Sequence, residues 1–220
     1  EVAEARIPSL KYDFTPDHGA VLLTDAGRPF WATLGGFSNS TTGRGTVNDL
    51  FGDQYPTKVE RSDPAWVDDD GITCLEFDGK GTYLELPREA IPSRGAFTLR
   101  FDVKPKTVGD QSLLINGTVT RQYGLALEIQ GGKLLASFRD AAWNSHRWPT
   151  ELPVPAAVWS KILVRCDFER ITLSVGEKSE SYPLTHAASN IGFTVFGAGW
   201  KGEPFEGRLR NLEIKHHALP

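Results

Sequence analysis

The sequence has few of the residues that cross-link a small fold through disulfides or metal ions, and it has no long apolar run. It contains two cysteines and five histidines in 220 residues. No apolar run approaches the roughly 18 residues that a membrane span needs. A chain of this length buries enough surface on folding to need no disulfide or metal staple. We therefore expect neither a membrane span nor a disulfide framework.

A surplus of positive charge is also missing. The formal net charge is -4 and the sequence pI is near 5.8. Nucleic acids and anionic membranes both reward a basic face, so neither is expected as the main partner. The histidines are scattered apart from His216-His217, and no zinc-ligand spacing occurs.

A secretory signal is absent from the start of the sequence. Residues 1–6 are polar, and the first residue is not methionine. We expect a processed protein or an excised domain whose targeting segment has been removed. The expected location is secreted, that is, extracellular or periplasmic.

The two cysteines occupy strand-like segments with opposite orientations. Cys166 alternates with Ile162 and Val164, so it faces a core, whereas Cys74 faces away from its neighbour Leu75. A disulfide needs Cβ vectors that converge, and these diverge. We predict two buried thiols that behave as small apolar residues.

Alternation of apolar and polar residues predicts the fold class. Gly (22) and Pro (14) are abundant, as many short strands with many turns require. We predict an all-β, two-sheet antiparallel β-sandwich in one domain over 1–220, with residues 1–70 carrying the fewest signals and 35–57 forming a long loop. The predicted strands cover 10–14, 20–24, 72–77, 82–86, 96–104, 112–116, 123–130, 133–139, 160–167, 171–175, 178–183, 191–196 and 205–214.

Three motifs resemble a known family. They are Leu75-Glu76-Phe77-Asp78-Gly79, the strand Phe97-Thr98 that ends in Lys104-Pro105, and the closing segment Phe205–Ile214. In this order they resemble the laminin-G-like jelly roll of the concanavalin A-like lectin/glucanase superfamily. The resemblance implies a jelly roll. The family includes sugar binders, adhesion modules, spacer domains attached to hydrolases or sulfatases, and a minority of enzymes, so the fold leaves the activity open.

Catalytic signatures of such relatives are missing. A glycosidase needs two carboxylates across the scissile bond, and no Glu-x-Asp-x-x-Glu-like run occurs in this sequence. Residues 86–90 only approach the pattern of alginate-type lyases. We predict no catalytic residue, and a hydrolase or lyase with carboxylates from distant strands is the least supported alternative.

Aromatic and polar residues concentrate after the predicted strand 133–139, in what we interpret as an edge loop. Indoles stack on pyranose rings, while amide and guanidinium groups bond sugar hydroxyls. The predicted ligand-binding residues are Arg139, Trp143, Asn144, His146, Arg147 and Trp148, with Trp200 on a second, glycine-rich loop. The alternative is that Trp143 and Trp148 plug the open end of the sandwich and Trp200 packs on its own loop.

An acidic run precedes the strand at 72–77. Asp68-Asp69-Asp70-Gly71 clusters the oxygen ligands that calcium prefers, and relatives of this fold often carry calcium. The run lacks the alternating spacing of a calcium loop, so a solvated turn is the competing interpretation. A structural calcium ion is thus a possible cofactor, and no other cofactor is indicated.

Together these features favour a non-catalytic module that binds a poly- or oligosaccharide, associated with a polysaccharide-processing enzyme. The alternative is an interaction or spacer domain that docks on a fused or neighbouring hydrolase or sulfatase domain without binding sugar.

Overall fold

The computed structural model describes residues 9–15, 19–24, 29–31, 33–35, 65–80, 82–86, 91, 96–117, 123–139, 144–167, 169–184, 193–197 and 203–215. In these ranges every regular element is a strand. None of the described residues forms a helix of the length and hydropathy that crossing a bilayer requires. The all-β prediction is confirmed.

The structure describes eighteen strands. In chain order they are β1 (Ser9–Thr15), β2 (Gly19–Thr24), β3 (Pro29–Trp31), β4 (Thr33–Gly35), β5 (Ala65–Asp69), β6 (Ile72–Asp78), β7 (Tyr83–Leu86), β8 (Phe97–Pro105), β9 (Gln111–Gly117), β10 (Tyr123–Gln130), β11 (Lys133–Arg139), β12 (Ser145–Pro153), β13 (Ser160–Cys166), β14 (Arg170–Val175), β15 (Lys178–Pro183), β16 (Phe193–Phe196), β17 (Glu203–Pro204) and β18 (Glu206–Lys215).

Two sheets form the sandwich. The ten-stranded sheet has the order β15-β14-β13-β8-β18-β1-β2-β3, with β6 beside β18 and β5 beside β6. The eight-stranded sheet has the order β12-β11-β10-β9-β16-β7-β4, with β17 beside β9. All pairings are antiparallel except the two-residue pairing of β17 with β9. The predicted two-sheet sandwich is therefore confirmed.

Strict alternation builds the core between the sheets. In β13 the inward residues Ile162, Val164 and Cys166 are buried, while Lys161 is exposed on the outer side. The inward side chains of both sheets join one hydrophobic cluster. Successive strand residues point to opposite sides, so each strand contributes one row to the core and one to an outer face.

The segment predicted as an edge loop contains a nine-residue strand, which corrects the sequence interpretation. β12 pairs with β11 and forms the edge of its sheet. Pro149 and Pro153 masked the strand signal, yet proline is tolerated on an edge strand because its missing N–H is not needed by a neighbour. β5 was also missed. Of the loop predicted over 35–57, Gly35 is the last residue of strand β4, and residues 36–57 lie outside the described residues.

Both cysteines are free and buried, as predicted. Cys166 lies in the inter-sheet core, while the thiol of Cys74 donates to the carbonyl oxygen of Val67 over 3.6 Å. Burial raises the pKa of both thiols, that of Cys166 to about 12.

The β5–β6 hairpin pairs with only part of the ten-stranded sheet. β18 pairs with β6 only over Glu206–Leu209 and with β1 at its other end. The tip of the hairpin extends past this pairing, and its Asp69 contacts Lys104 and Trp159 on the outer face of the sheet.

Candidate functional site

Strand alternation divides the predicted ligand-binding residues between two sides of the eight-stranded sheet. Arg147 stands opposite Ser137, and Arg139 stands opposite Ser145. These pairs face outward, because the intervening Phe138 and its partner strand residues face the core. Side chains directly opposite on antiparallel strands share one face.

The outward group forms a face that we call the β10–β12 face, in which Ser137 and the apolar Leu135, opposite Glu128, are buried. It consists of Glu128, Gln130, Ser137, Arg139, Ser145 and Arg147. Arg147 donates from Nη2 to Oε1 of Gln130 over 2.8 Å, so its side chain reaches across β11 to β10. Arg139 Nη2 lies 3.4 Å from the Ser145 hydroxyl oxygen. Asn144, directly before β12, is exposed beside this face.

His146 and Trp148 belong to the opposite side of β12. Their rings stack with centroids 5.8 Å apart and an interplanar angle of 13°. Trp148 also stacks on Tyr182 of β15 at 5.8 Å, and only 8% of the residue is exposed. The indole thus fills the gap between the edge strands of the two sheets, as the alternative interpretation of Trp148 expected.

A hydrogen-bond chain closes the same edge. The hydroxyl of Tyr182 donates to Oε2 of Glu180 over 2.6 Å, and Oε1 of Glu180 accepts the Glu151 backbone N–H over 2.8 Å. Burial, with the Glu180 hydrogen bond as the next cause, raises the pKa of Tyr182 to about 12. These bonds hold β12 against β15 on the side of β12 where Trp148 stacks on Tyr182.

Trp143 and Trp200 lie outside the described residues. Their role in ligand binding remains a prediction from the sequence.

Sequence reasoning missed three members of this face, Glu128, Gln130 and Ser137. Glu128 and Gln130 alternate with Leu127 and Ile129 in β10, and this alternation was the available signal.

Ser112 adds a buried hydroxyl to the same side of the sheet. It stands opposite Glu128, and its hydroxyl oxygen has no hydrogen-bond partner in the described part of the chain. Buried polar groups are nearly always paired, so an orphaned hydroxyl calls for an explanation.

The acidic run takes part in other contacts. Asp68 Oδ1 accepts the Gly71 N–H over 2.9 Å, which closes the β5–β6 turn. The Asp69 carboxylate accepts from Lys104, and this bond, together with Arg208 and Trp159, holds its pKa below the ordinary value against the opposing effect of burial. Among the described residues no three His, Cys, Asp or Glu side chains are grouped to hold a metal ion. Calcium therefore stays an untested prediction.

The family comparison covers most of the chain. Residues 78–220 match a laminin-G-type model described as the Concanavalin A-like lectin/glucanases superfamily. No curated protein is similar enough in sequence to count as a relative.

Several solved structures share the fold. The binding domain of Paraclostridial Mosquitocidal Protein 1 superposes with a TM-score of 0.69 at 14% identity, covering 97% of this chain and 50% of that one. The botulinum neurotoxin serotype G binding domain gives 0.64 at 12%, covering 97% and 48%. This chain thus spans about half the length of the toxin domains. Domain 4 of AbnA, a GH43 extracellular arabinanase from Geobacillus stearothermophilus in complex with arabinotriose, gives 0.64 at 15%, covering 97% and 95%.

Proposed function

Because the chain belongs to the Concanavalin A-like lectin/glucanases superfamily, we propose that it is a non-catalytic carbohydrate-binding module whose ligand lies on the β10–β12 face. The ligand would be a poly- or oligosaccharide, and the module would serve a polysaccharide-processing enzyme outside the cell.

The observation that carries this proposal is the Arg147–Gln130 bond across three strands. Two exposed polar side chains hold each other in place on a sheet, so their remaining donors and acceptors are oriented before a ligand arrives. Sugars present rows of hydroxyl groups that suit such donors. Trp143, one position before Asn144 in the chain, would supply the stacking surface.

The extent of the match to the arabinanase domain supports a module of this size. Each chain covers nearly the whole of the other, and that domain is described in complex with arabinotriose as part of an extracellular enzyme. Arabino-oligosaccharides are therefore the first probes, followed by xylan and cellulose fragments.

The test compares two variants by calorimetry and affinity electrophoresis. Arg147→Ala removes the central donor, while Lys178→Ala removes an exposed cation on the edge strand of the other sheet. Hydrogen bonds from charged groups are worth about 1.5–3 kcal/mol, so Arg147→Ala should weaken binding by about ten-fold or more and Lys178→Ala should not. Wild-type protein that binds none of these glycans, or equal losses in both variants, would overturn the proposal.

An interaction or spacer domain is the second candidate, and two exposed valines favour it. Val108 and Val158 lie on loops at the same end of the sandwich. A hydrogen bond of 2.7 Å from the Ala157 N–H to the Pro105 carbonyl oxygen joins these two loops. Apolar side chains exposed together suit a protein contact. The double variant Val108→Ser, Val158→Ser should then lose binding to the adjoining hydrolase or sulfatase domain. If the chain is only a sugar-binding module, the double variant should bind sugar as the wild type does.

A further inference from the structure

The outer face of the ten-stranded sheet carries a dense array of charged side chains on β18, β8 and β13. Strand pairing sets Arg208 opposite Lys104, and Arg210 opposite Asp102. In the next row Arg100 stands between Glu213 of β18 and Leu163 of β13. We call this surface the cationic face; its charged members are Arg100, Lys104, Lys161, Arg165, Arg208, Arg210 and Lys215, with Glu76, Asp69, Asp102 and Glu213 as the acids.

The acids of this face are shared between cations. Asp69 contacts both Lys104 at 2.9 Å and Arg208 at 3.3 Å. Glu213 contacts both Arg100 at 2.5 Å and Lys215 at 3.6 Å. Arg208 also contacts Glu76 at 3.1 Å, so the two cations around Asp69 meet two carboxylates and are balanced. Glu213 alone cannot neutralise two cations, so the group of Arg100, Lys215 and Glu213 retains positive charge.

The acids also lie deeper than the cations. The Arg100 side chain is 58% exposed, against 14% for its partner Glu213. Lys104 is 25% exposed, against 9% for Asp69. A partner approaching this face therefore meets ammonium and guanidinium groups first, although the whole chain carries a net charge of -4.

β13 adds two further cations to this face. Lys161 is exposed and stands opposite Asp102, whose carboxylate bonds Arg210 and Asn211, and Arg165 lies on the same face. Four residues separate them, which is about 13 Å along a strand. A row of this length suits a polymer with several negative charges better than a single small anion.

Hydroxyl groups continue the face on the next two strands. Thr172 of β14 stands opposite Arg165 and Ser181, and its hydroxyl lies 2.8 Å from that of Ser181. Ser174 and Ser179 form the neighbouring pair. Cations bordered by hydroxyls match a ligand that carries both anionic groups and sugar hydroxyls.

We propose that the cationic face binds an acidic polysaccharide bearing carboxylate or sulfate groups, as a second site on the sheet opposite the β10–β12 face. The choice of a polysaccharide over other polyanions rests on the proposed function. The surplus of cations on this face is an observation independent of that function.

The test uses dextran sulfate and polygalacturonate, with neutral dextran as the uncharged control. Arg100→Gln combined with Lys161→Gln removes two exposed cations and leaves Glu213 paired with Lys215. Lys133→Gln combined with Lys178→Gln removes the same charge away from this face. We expect the first double variant to lose about ten-fold in affinity for both acidic polymers and the second to bind like wild type, since electrostatic contacts act over about a Debye length.

Salt and competing polyanions complete the experiment. Wild-type affinity should fall by about twenty- to forty-fold between about 50 and about 200 mM sodium chloride, as expected for roughly three ionic contacts. Absence of dextran sulfate binding at the lower salt, equal losses in the two double variants, or equally tight binding to single-stranded DNA or phosphatidylserine vesicles would overturn the proposal. Arabino-oligosaccharide binding, measured on the Arg100→Gln, Lys161→Gln variant, should not change, so failure of the β10–β12 site is detected separately. The Lys133 variant is left out of this comparison, because Lys133 stands opposite Gln130 of the β10–β12 face.

Discussion

Trp159 donates its indole N–H to the carboxylate of Asp69 over 2.9 Å, joining residues that are ninety positions apart. The guanidinium carbon of Arg210 lies 3.9 Å from the centroid of the same indole ring. Because Asp69 sits at the tip of the β5–β6 hairpin, these contacts anchor the hairpin to the outer face of the ten-stranded sheet. The buried Asp69 carboxylate, which three donors contact, thus attaches the tip of this hairpin to the sheet.

The stabilising effect of the Asp69 carboxylate should be lost at acidic pH. The bond from Lys104, aided by Arg208 and Trp159, holds the pKa of Asp69 below its ordinary value of 3.8, so the group is more acidic folded than unfolded. Its contribution to stability is present above the unfolded value and is lost as pH falls through the folded pKa. Asp69→Asn should lower the urea midpoint at pH 7, and the gap to wild type should narrow below about pH 4.

Asp68→Asn is the matched control for this experiment. It removes the same charge one residue away, and its side-chain oxygen can still accept the Gly71 N–H. It should cost much less stability at pH 7. A gap between wild type and Asp69→Asn that stays constant with pH would contradict the assigned role of the carboxylate.

Gly197 should not tolerate a side chain. It has a positive φ of 88°, and a Cβ there would contact the Phe77 ring and lie 2.7 Å from the Thr82 carbonyl oxygen. Gly197→Ala should lower the free energy of unfolding by at least about 2 kcal/mol, because both overpacking and backbone strain contribute. Gly132→Ala, at φ 74° with open space around it, should cost only about 1 kcal/mol. Urea titrations of both variants provide the comparison, and equal costs would refute the steric argument.

Substitutions of the neighbouring residues Trp148 and Arg147 should have very different effects on the stability of the fold. Trp148 is buried between the edge strands, so Trp148→Ala should cost about 3–5 kcal/mol of stability. Arg147 is exposed, and Arg147→Ala should change stability by less than about 0.5 kcal/mol. Thermal unfolding measures both, and a Trp148→Ala variant as stable as wild type would show that the indole is not part of the core.

Both thiols should be unreactive in the native protein. Burial, with the negative charge of Asp167 as a further cause at Cys166, raises the pKa of that thiol to about 12. The thiolate is the reactive form, so Ellman's reagent at pH 8 should label neither thiol in the folded chain and both thiols after denaturation. Rapid native labelling, or fewer than two thiols after denaturation, would contradict the assignment.

The sequence alone determined the sheet class, most strands and the orientation of the cysteines. These depend on period-two alternation and on local turn residues, both of which are read within a few neighbouring positions. Cys166 is an example: its burial followed from Ile162 and Val164 on the same strand. The strands predicted over 123–130 and 133–139 are another, and Gly131 and Gly132 between them adopt positive φ.

Only the tertiary structure decided which polar residues share a face. The prolines hid β12, so Arg147 and Trp148 were grouped in one loop, whereas a strand places adjacent residues on opposite sides of a sheet. The partners of Asp69 could not be found locally either, because Lys104 and Trp159 reach it through the order of β18, β8 and β13 in the sheet. Sheet order and the path of a hairpin depend on contacts between distant residues, and no local pattern records them.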